Sequence, residues 1–470
     1  MPESKVSERA VLFVAAIASF LTPFMGSSVN VALPAIAERF GLSGAGQTWV
    51  QTAYLLAGAV CLLPFGRVAD LHGRKRVFAL GIGLFTAASL ACALAPTAGV
   101  LIGLRVVQGV ASAMIFATAV AILSSVYPPQ RRGQALGFTV AAVYLGLSMG
   151  PFLGGVLTEW LGWRAVFLAT APVGLAGLAA TLAYLRAEWA PARGETFDLT
   201  GAIIYGVALV GLVLGAGKSP QIEALWLAGV GAAALVGFVL WQKRASCPLL
   251  DMGLFTRYPV FALSNLAALL QYAAVFAVAL LISQYLQNLR GLDARQAGLV
   301  LLAQPVTMMV TAPVAGRLSD RFGPRLLASG GLGVTTVVLL GLTRLGPGMG
   351  LWAVAAMLAV LGVGMGLFSS PNVNAIMGAI DRQHFGVGAA TLGTMRLTGQ
   401  MASMAIVQLV FGLHLGSAAI GPETQGGFLA AARTDFFVFA ALAGAAMAAS
   451  LARGQAGHGQ ADQRAPLGRS

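Results

Sequence analysis

Apolar residues run through this chain in about fourteen long blocks, each broken from the next by a short polar or glycine-rich turn. The blocks fall at roughly 10–33, 48–67, 77–96, 99–126, 134–158 and 164–186, then 199–216 and 224–242, then 259–287, 296–316, 326–344, 349–372, 385–413 and 432–452. A bilayer core of about 30 Å takes roughly 20 apolar residues as a helix, so the blocks predict membrane spans. Their order predicts an all-α integral membrane protein. Six helices over 1–190 form a first lobe, an extra helix pair with its connectors fills 191–253, and six more over 254–453 form a second lobe. The polar tail over 454–470 is expected to be disordered.

Composition agrees: 58% of residues are hydrophobic and 10% charged, where a soluble domain has about 25% charged. The net charge of +13 does not point to nucleic acid, because the charges sit between apolar blocks and not on one soluble face. They do set an orientation. Most of the 29 Lys and Arg residues fall in turns on the side of the N-terminus, which predicts cytoplasmic N- and C-termini in a plasma or inner membrane. The first block is too long for a cleaved signal peptide and is expected to be retained. Cys61, Cys92 and Cys247 form no CxxC pair, and His72, His384, His414 and His458 show no metal-ligand spacing. No GxxxxGK[ST] loop is present. No enzyme chemistry, metal or cofactor is therefore expected. The expected partners are a small-molecule substrate and the lipid bilayer, and nothing requires an oligomer.

Two of the turns share a charged pattern. GRVADLHGRKRV begins at Gly66 and GRLSDRFGPRLL at Gly316, so Asp70 recurs as Asp320. A repeated turn in register points to a duplicated, two-lobed transporter with its substrate path between the lobes. Asp70 with Arg74, and Asp320 with Arg321, are candidate gate residues, since a carboxylate there can hold a neighbouring helix end or an Arg. Arg74 is replaced by Pro324 in the second copy, which predicts a weaker second gate. In LIGLRVVQGVASAM, Arg105 stands inside an apolar helix. Either it snorkels to the interface or it faces protein or water at a functional site. In YLGLSMGPFLGGVL, Gly146, Gly150 and Gly154 recur every fourth residue and Pro151 favours a bend, which suits a close-packed seam or pivot.

Taken in this order, the three motifs resemble those of the major facilitator superfamily. The extra central pair, with NVALPAIAERF, WVQTAYLL and QYLQNLRGLDARQAGL, resembles its fourteen-helix drug/proton antiporter branch (EmrB/QacA-like). The resemblance implies a proton-driven exporter of small amphipathic compounds working by alternating access. It implies a cytoplasmic gate at Asp70 and Arg74, proton coupling through Arg105, and lobe closure through Gly146, Gly150, Pro151, Gly154 and Gly155. The candidate cavity residues are Met25, Ser27, Asn30, Gln51, Tyr54, Gln271, Asn372 and Arg396. The chain departs from that branch in one respect: Met25 stands where an acid is usual, and none of the 16 acidic residues falls in the middle of a predicted span. That leaves two alternatives open. One is export or facilitated movement of a neutral or anionic metabolite without carboxylate-based coupling. The other is a lipid flippase or a non-transporting sensor.

Overall fold

The computed structural model describes residues 7–454 apart from 128, 186, 218–221, 382–384 and 417. The tail over 455–470 lies outside the described residues, as does the side chain of Asp320. Among the described residues every regular element is a helix, and thirteen segments are long and apolar enough to cross a membrane. The first lobe holds α1 (Glu8–Phe40), α2 (Gly44–His72), α3 (Arg74–Ala93), α4 (Ala98–Val126) and α5 (Pro129–Leu161). Its last span joins α6 (Arg164–Leu168) to α7 (Thr170–Tyr184). The extra pair is α8 (Leu199–Gly217) and α9 (Ile222–Gln242), followed by a short α10 (Met252–Arg257).

In the second lobe, α11 (Pro259–Val275) continues through α12 (Val278–Gln284) and a π-turn at Tyr285–Leu289. Then α13 (Ala294–Leu301) runs into α14 (Ala303–Phe322), followed by α15 (Pro324–Leu342), α16 (Leu351–Gly378), α17 (Phe385–Leu415) and α18 (Gln425–Ala452). Helix α5, with 33 residues, lies along α1 and adds a crossing to the thirteen.

Helix ends follow local chemistry. The hydroxyls of Ser43 and Thr97 accept from the amides of Gly46 and Val100 and cap α2 and α4. Asp293 and Gln296 form a capping box at α13. Gly73 and Gly323, at φ 119° and 82°, make the sharp turns after α2 and α14. An L side chain resists that backbone, so both charged turns keep a glycine there.

Within the lobes, α1 packs on α5, α2 and α3 on α4, α14 and α15 on α16, and α15 on α18. Helix α8 touches α2 and α17, while α9 turns Leu225, Trp226, Val230 and Val236 outward. The extra pair therefore rides on the outer flank where the two lobes meet.

One helix corrects the sequence expectation. The last span begins at Gln425, several residues before the predicted 432, because Phe428, Leu429, Ala431 and Ala432 are buried and extend the apolar face. Asp435 thereby stands well inside α18 with none of its surface exposed. An acid does lie inside a span.

Candidate functional site

The two lobes enclose a chamber of about 130 Å³. Helix α1 contributes Thr22, Gly26, Ser27 and Asn30, and α2 contributes Gln51 and Tyr54. From the second lobe come Tyr272, Phe276, Gln304, Met308, Met365, Arg396 and Gln400. The polar groups are a handful set in an apolar wall, the usual make-up of a small-molecule site. No Asp or Glu is among the lining residues. A wider vestibule of about 480 Å³ shares Phe116, Val143, Tyr272 and Arg396 with the chamber and reaches Arg67, Asp70, Arg74, Asp251 and Asn372. Arg396 stands where the two spaces meet. Its guanidinium lies 4.8 Å over the Phe116 ring, a contact between lobes. The chamber is thus open toward the face that carries the Asp70 turn.

The opposite face is shut by hydrogen bonds and close backbone packing between lobes, and by a cation–π contact in which Arg295 lies 5.8 Å over the Trp160 ring. Gln284 Nε2 donates to Gln47 Oε1 at 2.6 Å, Gln287 Nε2 to the Val31 carbonyl at 3.0 Å, and the Gly44 amide to the Ala418 carbonyl at 2.9 Å. The glycine seam of α5 divides in two. Gly146, Gly150 and Gly154 meet Phe20, Ser27 and Ser28 of α1, inside the first lobe, and the Ser28 hydroxyl donates to the Gly150 carbonyl at 3.0 Å. Gly155 instead meets the Ala294 carbonyl, and the Pro151 carbonyl meets Gly298, so these two positions of α5 seal against α13 of the second lobe. A Cβ at Gly155 or Gly298 would overlap the facing backbone.

Arg105 is fully enclosed and does not snorkel. Its Nε donates to the Val50 carbonyl at 2.9 Å, Nη2 to Gln51 Oε1 at 2.8 Å, and Nη1 to Gln108 Oε1. It lies 4.2 Å over the Tyr54 ring, and Tyr54 donates in turn to Ser112 Oγ at 3.0 Å. Among the described residues its bonding partners are all uncharged. Arg105 itself does not line the chamber, but it fixes Gln51 and Tyr54, which do.

The gate turn is more elaborate than its motif. Arg74 Nε donates to Asp70 Oδ1 at 2.7 Å, and its Nη1 reaches the Ala121 carbonyl and Ser125 Oγ on α4. The connector after α7 then grips the turn. Glu188 Oε1 accepts from the Lys75 amide at 2.9 Å, Glu195 pairs with Arg67 at 2.7 Å, and the Ala192 amide donates to the Asp70 carbonyl. In the second lobe Arg321 is exposed and stacks 5.4 Å from the Phe322 ring. Where Pro324 replaces an Arg, another one arrives from α18. Arg453 donates to the Pro324 carbonyl at 2.7 Å, Asn372 Oδ1 at 2.9 Å and Ser264 Oγ at 3.1 Å. Burial lowers the Arg453 guanidinium to about 10, and the neighbouring positive Arg325 pushes it the same way.

Three cavity candidates stand elsewhere. Met25 is fully buried in the first lobe, because it lies on the side of α1 away from the Thr22, Gly26 and Asn30 stripe. Gln271 points into the second lobe, donating to Thr335 Oγ1 at 3.2 Å, and its neighbour Tyr272 lines the chamber instead. Asn372 borders the vestibule with its amide committed to Ser264 and Arg453. Sequence reasoning missed Asp435, Arg453 and the Gln47–Gln284 pair. For the last, an amide inside an apolar block was the available signal.

A sequence model of the Major Facilitator Superfamily matches residues 15–267 and 264–465. The chain is 31% identical over 389 residues to the riboflavin transporter RibZ of Clostridioides difficile (strain 630), covering 82% of this chain and 84% of that protein. It is 33% identical over 408 residues to the multidrug resistance protein Stp of Mycobacterium tuberculosis (strain CDC 1551 / Oshkosh), covering 84% and 74%. A crystal structure of a bacterial homolog of the human lysosomal transporter Spinster, inward-facing and unoccupied, superposes with a TM-score of 0.67 at 18% identity, covering 96% of this chain and 98% of that one. With the fold, the chamber between its lobes and these relatives in agreement, the chain belongs to the Major Facilitator Superfamily and is a multi-pass secondary transporter, not an enzyme.

Proposed function

We propose that this protein exports small neutral or anionic amphipathic compounds by alternating access, driven by the proton gradient. The observation that carries this reading is the chamber's charge: Arg396 stands at its mouth, and no acid is among its lining residues. An unopposed cation in a space of low dielectric favours anions and polarisable neutral solutes and disfavours cations. Lobes over 1–190 and 254–453 rock about the chamber, with 191–253 as a passive flank. The Asp70–Arg74 turn and Arg453 organise the face that opens here, and Gly155, Pro151 and Gly298 seal the other. With cytoplasmic termini, as the placement of Lys and Arg favours, the open vestibule faces the cytoplasm and accepts cargo from inside. The names of relatives such as Stp support outward transport, and that of RibZ supports a planar aromatic cargo of low charge.

The test is uptake into inside-out vesicles of a host lacking its own exporters. Riboflavin is expected to accumulate when the lumen is acid and to stop accumulating when the gradient is collapsed, while ethidium is taken up poorly. Preference for ethidium, or gradient-independent accumulation of riboflavin, would refute the reading.

A further inference from the structure

Asp435 is the acid that the apolar blocks conceal. It is fully buried in α18, and both of its carboxyl oxygens lack a hydrogen-bond partner. One other side chain on the neighbouring helix is in the same position: Gln408 of α17 is fully buried, and neither its Oε1 nor its Nε2 has a partner. The register of the two antiparallel helices brings them together. Phe411 packs its ring against Phe428 at 6.0 Å, and Gly427 lies against the His414 carbonyl. Gln408 is one turn from Phe411 on the same face of α17, and Asp435 is two turns from Phe428 on the same face of α18. Both steps run inward from the closed face, which puts the two groups on the facing sides of the α17–α18 contact, roughly 4–6 Å apart in depth and without a hydrogen bond between them.

The charged groups around this point, Glu423 before α18 included, are exposed or bonded elsewhere. Arg433 of α18 and Arg344 after α15 are exposed. His414 Nδ1 lies against the Val410 carbonyl of its own helix, and Arg290, after the π-turn, donates to Tyr285 and to the Pro347 and Met349 carbonyls. From α11, Tyr272 faces the chamber. At the far end of α18, Arg453 stands roughly 27 Å along the helix from Asp435. Arg325 lies at the same end, on the first turn of α15.

We infer that Asp435 and Gln408 form a proton-binding site at the α17–α18 contact, separate from the substrate chamber. A lone carboxylate buried without a partner is costly, and binding one proton removes the charge. Neither bond is made in this state; once α17 and α18 slide to close the gap, the acid donates its O–H to Gln408 Oε1 or the carboxylate accepts from Gln408 Nε2, so loading and unloading change what holds the two helices together. The effect reaches cargo through α17, which carries Arg396, Leu397 and Gln400 into the chamber. Asp435 lies about 15 Å from the start of α18, nearer the closed face. A proton arriving from that side enters opposite the open vestibule, as export requires. The use of the proton rests on the proposed export, but its binding does not.

The experiment takes the full-length protein in liposomes and records the infrared difference spectrum of protonated carboxyl groups across a pH titration. Asp435→Asn is expected to delete one carbonyl band, and Gln408→Leu to shift it. Riboflavin accumulation in inside-out vesicles of Asp435→Asn is expected to be the same with and without an acid lumen. A full set of carboxyl bands in Asp435→Asn overturns the site, and accumulation in that variant that still follows the gradient as in wild type overturns its part in coupling. Should Asp435→Asn fail to insert, an unshifted band in Gln408→Leu overturns it instead. Wild-type vesicles that move no riboflavin, while the band is present and Asp435-dependent, refute the export reading and leave the proton site standing.

Discussion

Arg105 shows how a charge is kept inside a membrane helix without a counter-charge. Three of its nitrogens are matched to oxygens of Val50, Gln51 and Gln108, and the Tyr54 ring covers its face. Removing it strands those acceptors, at about 1–3 kcal/mol for each buried one left unpaired. Arg105→Ala is therefore expected to insert, to melt at lower temperature in detergent, and to lose gradient-driven transport because Gln51 and Tyr54 are no longer fixed. Arg105→Lys restores the charge but not the planar fork, so it recovers insertion and stability more than transport. Wild-type flux in Arg105→Ala would remove this group from the mechanism. That Arg105 mattered was legible, since a guanidinium inside an apolar run must face something polar. What it does was not, because its partners lie on α2. The same limit explains Met25 and Gln271. Each sits one residue from a true lining position, Gly26 and Tyr272, and a single residue turns a helix by about 100°.

Helix α5 repeats that lesson at the level of an element. The spacing of Gly146, Gly150 and Gly154 announced a close-packed stripe, and it is one, against α1 of its own lobe. Gly155 lies a step around the helix and meets the other lobe. The two kinds of glycine should therefore fail differently. Gly150→Val forces α1 and α5 apart, and overpacking of this kind costs about 1–3 kcal/mol of lobe stability. Gly155→Val is expected to leave melting nearly unchanged while preventing the closed face from sealing, so that cysteine pairs placed across the α5–α13 contact no longer crosslink. Equal losses of stability in both variants would show that the seam is one unit. The start of α18 escaped the sequence because Arg433, Thr434 and Asp435 follow each other and look like the edge of a loop. The hydrophobic residues before them, held against α17 and α15, decide the matter through tertiary packing.

Across the described residues, ion pairs gather at one face of the molecule and contacts without a counter-charge at the other. Among the described residues the ion pairs are Arg67–Glu195, Arg74–Asp70 and Arg76–Glu188, all at the Asp70 face and all within the first lobe and its connector. The contacts that join the lobes at the closed face are amide hydrogen bonds, backbone against glycine and a cation–π contact, Arg295 over the Trp160 ring at 5.8 Å. Rocking the lobes must break this closed-face set, so that set decides how strongly this state is favoured. Gln284→Leu removes the donor to the buried Gln47 Oε1, and the stranded acceptor disfavours the state by about 1–3 kcal/mol, roughly a 5- to 150-fold shift in population. With Cys61, Cys92 and Cys247 replaced, distances between spin labels on the two lobes at the Asp70 face should shorten in Gln284→Leu. Raising salt should move them little, because among the described residues no ion pair bridges the lobes at the sealed face and the Arg295–Trp160 contact there has no charged partner to screen. If salt moves the distribution and Gln284→Leu does not, the equilibrium is governed by the charged turns, and the gate rather than the amide seal holds the transporter open.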